Sequence, residues 1–310
     1  MSVDPRLVQS VRQRLTNIAR QSGEDVQRVL VRYAIERLLY RLSLSKHKAR
    51  FVLKGATLFS VWAEAPYRST GDLDLLGFGE NAPHALKAVF AEIAAIEPDP
   101  SDGLVFDTAA ITADTLRADT HYAGVSLRFT ALLGRARLPI MVDIGFGDVI
   151  TPGPTELDFP SLLGMAKPRL KAYPPETVIA EKLEAMAALG LANSRVKDLY
   201  DLWALAGAFD LDGARVVEAV SKTFGRRGTE LTASRPPMLT LAYTSEPSRQ
   251  ALWRAFLTGR AEIENAPKDI AAIAEEVARF VEPVMEAAAA GLALGDWSAK
   301  ARAWRATRQN

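Results

Sequence analysis

Asp72 and Asp74 are separated by a single leucine in the segment RSTGDLDLL (68–76), which reads as a strand opened by Gly71. Side chains alternate across a strand, so both carboxylates face one way while Leu73 and Leu75 face a core. Two neighbouring carboxylates repel, and each raises the pKa of the other unless a cation lies between them. An oxygen-loving divalent ion, Mg²⁺ or Mn²⁺, resolves that repulsion. A third carboxylate, Asp143, interrupts the apolar run Ile140-Met-Val-Asp-Ile144. If that run pairs beside the first strand, three carboxylates share one surface. Such a surface can hold two metal ions roughly 3.5–4 Å apart that clamp a triphosphate and activate an attacking hydroxyl. Plainer roles fit the same residues: a solvated strand face for Asp72 and Asp74, and for Asp143 an inward charge that guards a sheet edge.

Lys54-Gly55-Ala56-Thr57 lies at the end of the apolar run Phe51-Val-Leu53 and opens a helical stretch reaching Glu64. A strand, a glycine turn and a helix leave backbone N–H groups suited to phosphate. Glycine allows phosphate to approach the backbone closely. An ordinary strand-to-helix turn has the same pattern, and no Walker A sequence occurs anywhere in the chain.

Two further charges face inward on helical projection. Along the helix from Pro174, the apolar stripe Val178, Ile179, Leu183, Met186 and Leu189 includes Lys182, whereas Glu181 and Glu184 fall outside it. An inward lysine needs an anion or loses its proton. On the next helix, Leu199, Leu202, Trp203, Ala206 and Phe209 form the stripe. Asp198 and Arg195 fall within it, and Lys197 and Asp201 outside, which puts Asp201 on the surface. Lys182 and Asp198 either pair simply with each other, or Lys182 meets a triphosphate while Asp198 positions it or contacts the base or acceptor.

The elements that must position these groups follow from periodicity. Helices are expected over Pro5–Gln21, Asp25–Leu44 and His84–Ile96, and a strand over Leu104–Thr108. Val125–Leu133 and Leu138–Phe146 flank Gly134-Arg-Ala-Arg137 and read as an antiparallel hairpin. The Pro- and Gly-rich run Thr151–Pro160 reads as the exit from the sheet. Beyond it, helices are expected over Pro174–Leu189 and Ser194–Ala208, then mostly helix with breaks at Gly225–Gly228 and Arg235-Pro-Pro237, and a frayed basic tail from Lys300. The expected class is α+β: a core of small mixed sheet and helices over residues 1–160, then a mainly helical lobe over 161–310. A cleft between such lobes is a common ligand site.

Composition narrows the chemistry. The 310 residues suit two domains better than one, and 48% apolar with 24% charged residues fits a globular protein with a real core. With no cysteine and three histidines lacking ligand spacing, disulfides, thiol nucleophiles, Cys- or His-based zinc and a histidine triad are not expected. A net charge of +1 calls for no strong overall field, but Arg195, Lys197, Arg226, Arg227 and the tail could hold an RNA backbone. The N-terminus lacks an apolar signal region and no run is long enough to span a bilayer, so a cytoplasmic protein is expected.

Together, FVLKGATLFSVW (51–62), RSTGDLDLL (68–76), VIAEKLEAM (178–186) and SRVKDLYDLW (194–203) resemble the AbiEii/AbiGii toxin family, the MenT-like nucleotidyltransferases of bacterial toxin–antitoxin systems. The resemblance runs from about Phe51 to Leu205. It implies a polymerase-β-like nucleotidyltransferase core with a helical C-terminal lobe. It implies Mg²⁺ at Asp72 and Asp74, with Asp143 as the third carboxylate, and catalytic roles for Lys182 and Asp198. NTP contacts are implied from Lys54, Gly55, Ala56 and Thr57, with Arg68 and Ser69 near the phosphates. It implies a tRNA acceptor extended at its 3′ end, and a cognate antitoxin as partner. The family turn is usually Gly-Gly or Gly-Ser; Gly55-Ala56 lacks that hydroxyl, which Thr57 or Ser69 would supply. Two other functions share these residues: nucleotidyl transfer to a small molecule or protein hydroxyl, and a catalytically inactive relative that binds nucleotide or a partner.

Overall fold

Aspartates immediately before the first two helices supply their N-terminal caps. In the computed structural model, which describes residues 4–62, 71–116, 124–258, 260 and 263–306, helix α1 (Pro5–Ser22) starts on Asp4, whose carboxylate accepts from Arg6 N at 2.9 Å. It ends on Gly23 in the left-handed region at φ 68°. Asp25 caps α2 (Val26–Leu44) by accepting from Arg28 N at 3.0 Å.

The chain forms two compact units, residues 1–147 with 155–172 and residues 148–154 with 173–310. The first holds a mixed sheet. Its strands are β1 (Phe51–Lys54), β2 (Asp72–Gly77), β3 (Val105–Phe106), β4 (Thr112–Leu116), β5 (Gly124–Leu133), β6 (Ala136–Phe146), β7 (Thr155–Asp158) and β8 (Arg169–Ala172). Their order is β3-β5-β6-β2-β1-β8-β7, with β4 also pairing β5. The β5–β6 hairpin turns at Gly134 and Arg135, as the glycine there predicts. Short helix α3 (Phe59–Trp62) follows β1, and α4 (Pro83–Ala94) follows β2.

One sheet face carries Leu73, Leu75, Leu127, Phe129, Ile140, Val142 and Ile144, all buried. Each such side chain contributes about 1.5–3 kcal/mol by leaving water. Phe51 of β1 meets Phe90 of α4 edge-on, with ring centroids 5.4 Å apart. Helix α2 adds a buried polar knot: Arg41 donates to both oxygens of Asp102 at 2.5 and 3.0 Å, and Glu36 accepts from Ser161 Oγ and Leu162 N.

One expectation fails here, and one strand is not anticipated. The run Thr151–Pro160 is not a plain exit from the sheet: β7 lies within it, and β7 and β8 extend the sheet, β8 running parallel to β1. Both strands are only four residues long, too short for periodicity to register. The strand β4 is likewise a polar edge that no apolar alternation announces.

The second unit contains α5 (Pro175–Leu189), α6 (Lys197–Ala208), α7 (Gly213–Arg227), α8 (Leu241–Thr244), α9 (Pro247–Leu257) and α10 (Ile270–Ala290), with strands β9 (Trp297–Ser298) and β10 (Ala303–Trp304). Gly225 is tolerated inside α7, which stops at Gly228 in the left-handed region. The tail is not frayed as far as it is described: Trp297 donates to Ala206 O, and Trp304 donates to Phe280 O and stacks on its ring. Among the described residues, no helix is long and apolar enough to cross a membrane.

Candidate active site

Strand register decides which side chains meet. Asp74 of β2 lies opposite Lys54 of β1 on one side and Asp143 of β6 on the other, and Asp143 lies opposite Ser126 of β5. Lys54, Asp74, Asp143 and Ser126 therefore form one row across four strands, on the face away from the apolar core. Asp72 lies on the same face two residues along, opposite Met141. The three carboxylates expected to share a surface do share one.

Gly55 explains how close the bend comes to them. Its φ is +69°, and a Cβ there would lie 2.1 Å from Oδ2 and 2.7 Å from Cβ of Asp74. The glycine leaves space for the Asp74 carboxylate as well as supplying the turn. The helical stretch expected after the bend is present as far as it is described, as a 3-10 turn, Gly55–Leu58, followed by α3 to Trp62; the last two residues of the expected stretch, 63 and 64, lie outside the described residues. Ala56 and Thr57 are buried, and Thr57 Oγ1 donates to the carbonyl of Asp72 at 3.2 Å. That hydroxyl thus ties the bend to β2. Arg68 and Ser69 lie outside the described residues.

Whether these residues suit a divalent ion can be judged from two atoms. Asp143 Oδ1 and Ser126 Oγ are buried and have no hydrogen-bond partner among the described residues. A buried carboxylate oxygen without a donor suits a cation. Yet among the described residues no group of three or more His, Cys, Asp or Glu side chains is arranged to hold a metal by itself. The donor set fits a hard ion that takes one or two carboxylates and completes its shell with substrate phosphates, and does not fit an all-protein cage.

The second cluster belongs to the helical unit. Lys182 of α5 donates to Asp198 Oδ1 at 2.8 Å and to Asp201 Oδ2 at 2.6 Å, both carboxylates being fully buried. Asp198 sits in the first turn of α6, where the helix N-terminus favours a negative charge. Its Oδ2 lies 2.8 Å from Nε of Arg195. Lys182 and Asp198 are inward as helical projection predicts. Asp201 is not on the surface: the first turns of α6 are buried on several sides, so one apolar stripe does not describe them.

Two other charges also differ from expectation. Glu184 is buried rather than outside the stripe, and receives Arg227 Nη1 at 2.7 Å and Thr229 Oγ1 at 2.5 Å. Arg227 also reaches Asp148 at 3.0 Å and Glu181 at 3.2 Å. Burial opposes its charge, but Glu181, Asp148 and Glu184 outweigh that and hold the guanidinium protonated above its ordinary range. Arg227 is therefore tied to three carboxylates, Asp148, Glu181 and Glu184. Arg195 is half exposed and also bound to Asp198.

A family model described as nucleotidyl transferase AbiEii toxin, type IV TA system, matches residues 37–290. Among solved structures, the nucleotidyltransferase toxin MenT4 from Mycobacterium tuberculosis H37Rv matches with a TM-score of 0.50 and 21% identity, covering 88% of this chain and 98% of that one. JHP933 from Helicobacter pylori matches with a TM-score of 0.44 and 12% identity, over 83% of this chain and 91% of that one. The first likeness supports the fold; the second is too distant to add to it. A search of curated proteins returns no significant match.

Proposed function

The chain belongs to the AbiEii nucleotidyl transferase toxin family of type IV toxin–antitoxin systems, and on that premise we propose that it moves a nucleoside monophosphate from an NTP to the 3′ end of tRNA, blocking translation. It is a nucleotidyltransferase by family, with an NTP substrate and an antitoxin partner. The finer reading rests on one observation: the Asp74 carboxylate lies against the Gly55 bend and in register with Asp143, on the sheet face that also carries Asp72.

In this reading Asp72 and Asp74 would hold the divalent ion, with Asp143 as the third carboxylate of the row. When bound, that ion neutralises the triphosphate and favours the deprotonated acceptor hydroxyl. Lys54 and the bend through Gly55, Ala56 and Thr57 lie beside the phosphates. The acceptor oxygen attacks the α-phosphorus and the bond to the bridging oxygen of the β-phosphate breaks. Pyrophosphate leaves, and the hydroxyl proton passes to a carboxylate of the row. Lys182 balances charge on the phosphates, and Asp198 orients Lys182 or the acceptor. Positioning and electrostatics supply most of the rate, as is general for phosphoryl-type transfer.

Incubation with total tRNA, Mg²⁺ and each labelled NTP tests the proposal. Label should move onto RNA, and the 3′ ends should gain the nucleotide. Asp72→Ala and Lys182→Ala should abolish incorporation while the far-UV circular dichroism stays native. Normal incorporation by either variant refutes the assigned roles. Label appearing on a protein or small molecule instead refutes the tRNA acceptor.

A further inference from the structure

Two carboxylates hold Lys182, and they are not equivalent. Asp198 divides its charge between two cations, with Oδ1 2.8 Å from Lys182 Nζ and Oδ2 2.8 Å from Arg195 Nε. Asp201 makes the shorter bond to Lys182, at 2.6 Å. It lies one helical turn further into α6, where both it and Asp198 are fully buried. Lysine carries its charge at the end of a flexible four-carbon stem, so a single hydrogen bond leaves the ammonium free to swing. Two carboxylates from successive turns of one helix fix its position.

We propose that Asp201 is a positioning residue that anchors the Lys182 ammonium, leaving Asp198 able to release Lys182 and engage substrate. The proposal rests on the reading of Lys182 and Asp198 as catalytic. A buried ammonium is costly to leave without an opposite charge, and a second carboxylate guards against that when Asp198 moves toward an acceptor or base. Asp201, 2.6 Å from the Lys182 ammonium, is the carboxylate placed to serve as that second counterion. Arg195, half exposed, remains beside Asp198 and offsets its charge when Lys182 turns to phosphate.

Asp201→Asn is the informative substitution. The amide has nearly the same volume and can still accept one bond from Lys182, so the fold should survive while the anchoring charge is lost. Calorimetric titration with the Mg²⁺ complexes of the four NTPs reads the effect without turnover. Asp201→Asn should weaken NTP binding about 10- to 100-fold, the range found when a partner that orients a site group is removed. It should have no added effect in a Lys182→Ala background, because it acts through that lysine. Asp201→Glu should recover part of the loss. Asp198→Asn should lose transfer to RNA while NTP affinity stays within about twofold of wild type.

Wild-type NTP affinity in folded Asp201→Asn overturns the proposal, as does full additivity with Lys182→Ala. If Asp201→Asn does not fold, Asp198→Asn decides. Loss of NTP binding as complete as in Lys182→Ala would make Asp198 the anchor instead. Unchanged NTP binding and transfer in Lys182→Ala would overturn the functional reading of the cluster itself, an outcome separate from failure of Asp201 alone.

Discussion

Gly55→Ala separates the role of the bend from that of the fold around it. Two costs apply. The first is conformational: at φ +69° an L-residue is in the left-handed region, a penalty of about 1–2 kcal/mol. The second is steric and falls on one residue, since the new methyl would stand 2.1 Å from Oδ2, 2.6 Å from Cγ and 2.7 Å from Cβ of Asp74. Both the carboxylate and its stem must move. A misplacement of about 1 Å in a reacting group lowers rate on the order of 10²-fold. The conformational cost alone should lower the melting temperature by roughly 2–8 °C. Gly79→Ala is the matched control, because Gly79 has φ +83° and no atom within 4 Å of where its Cβ would go. It should show the stability loss without the loss of rate. Single-turnover transfer of labelled NTP, with thermal unfolding of both variants, makes the comparison. Wild-type turnover in Gly55→Ala would refute the placement of Asp74 at the reacting centre. Equal rate losses in the two variants would refute the steric argument.

Burial pushes the Glu36 carboxyl above its ordinary range despite its bonds from Leu162 N and Ser161. A carboxyl with a raised folded-state pKa stabilises the native state at low pH, and that contribution is lost as pH rises through the folded value. The stability of Glu36→Gln relative to wild type should therefore grow as pH rises above the ordinary glutamate range, as read by urea unfolding at a series of pH values. A flat difference would contradict the shift. Arg227→Ala leaves Asp148, Glu181 and Glu184 without their shared cation and should cost about 3–5 kcal/mol in denaturant titration; a cost under about 1 kcal/mol, typical of a surface pair, would show that the cluster is not buried in solution. Trp304→Ala removes a ring stacked on Phe280 at 5.7 Å and its bond to Phe280 O, and should cost about 2 kcal/mol, below the 3–5 of a fully buried tryptophan. No change in unfolding midpoint would mean that β10 does not pack on α10.

The geometry of the candidate site was legible in sequence where a period or a rare residue type set it. A repeat of two is enough to put Asp72 and Asp74 on one face. A lone aspartate among Ile140, Met141, Val142 and Ile144 points to the neighbouring strand, and the pairing with Asp74 bears that out. Asp201 and Glu184 were missed for one reason. Helical projection treats a helix as having one wet side, whereas α5 and the start of α6 are buried nearly all round. The available signal was charge balance: an inward Lys182 beside two aspartates one turn apart. The strand β8 is set by pairing with β1 across a long sequence separation, which no local pattern carries, and β7 in turn pairs with β8.

The route of the backbone has a practical consequence. The chain leaves the first unit after Gly147, contributes 148–154 to the second, returns for 155–172, and leaves again at Tyr173. The short visit is fastened at Thr151, whose N–H and carbonyl both engage the Thr177 hydroxyl, and at Asp148 on Arg227. Sequence and folding unit are thus interleaved. A truncated chain stopping before Arg169 would lack β8 and leave β1 as a bare edge open to pairing with other chains. Splitting the protein into independently produced halves would require circular permutation or a linker across the stitch; cutting at one point in the chain would not suffice.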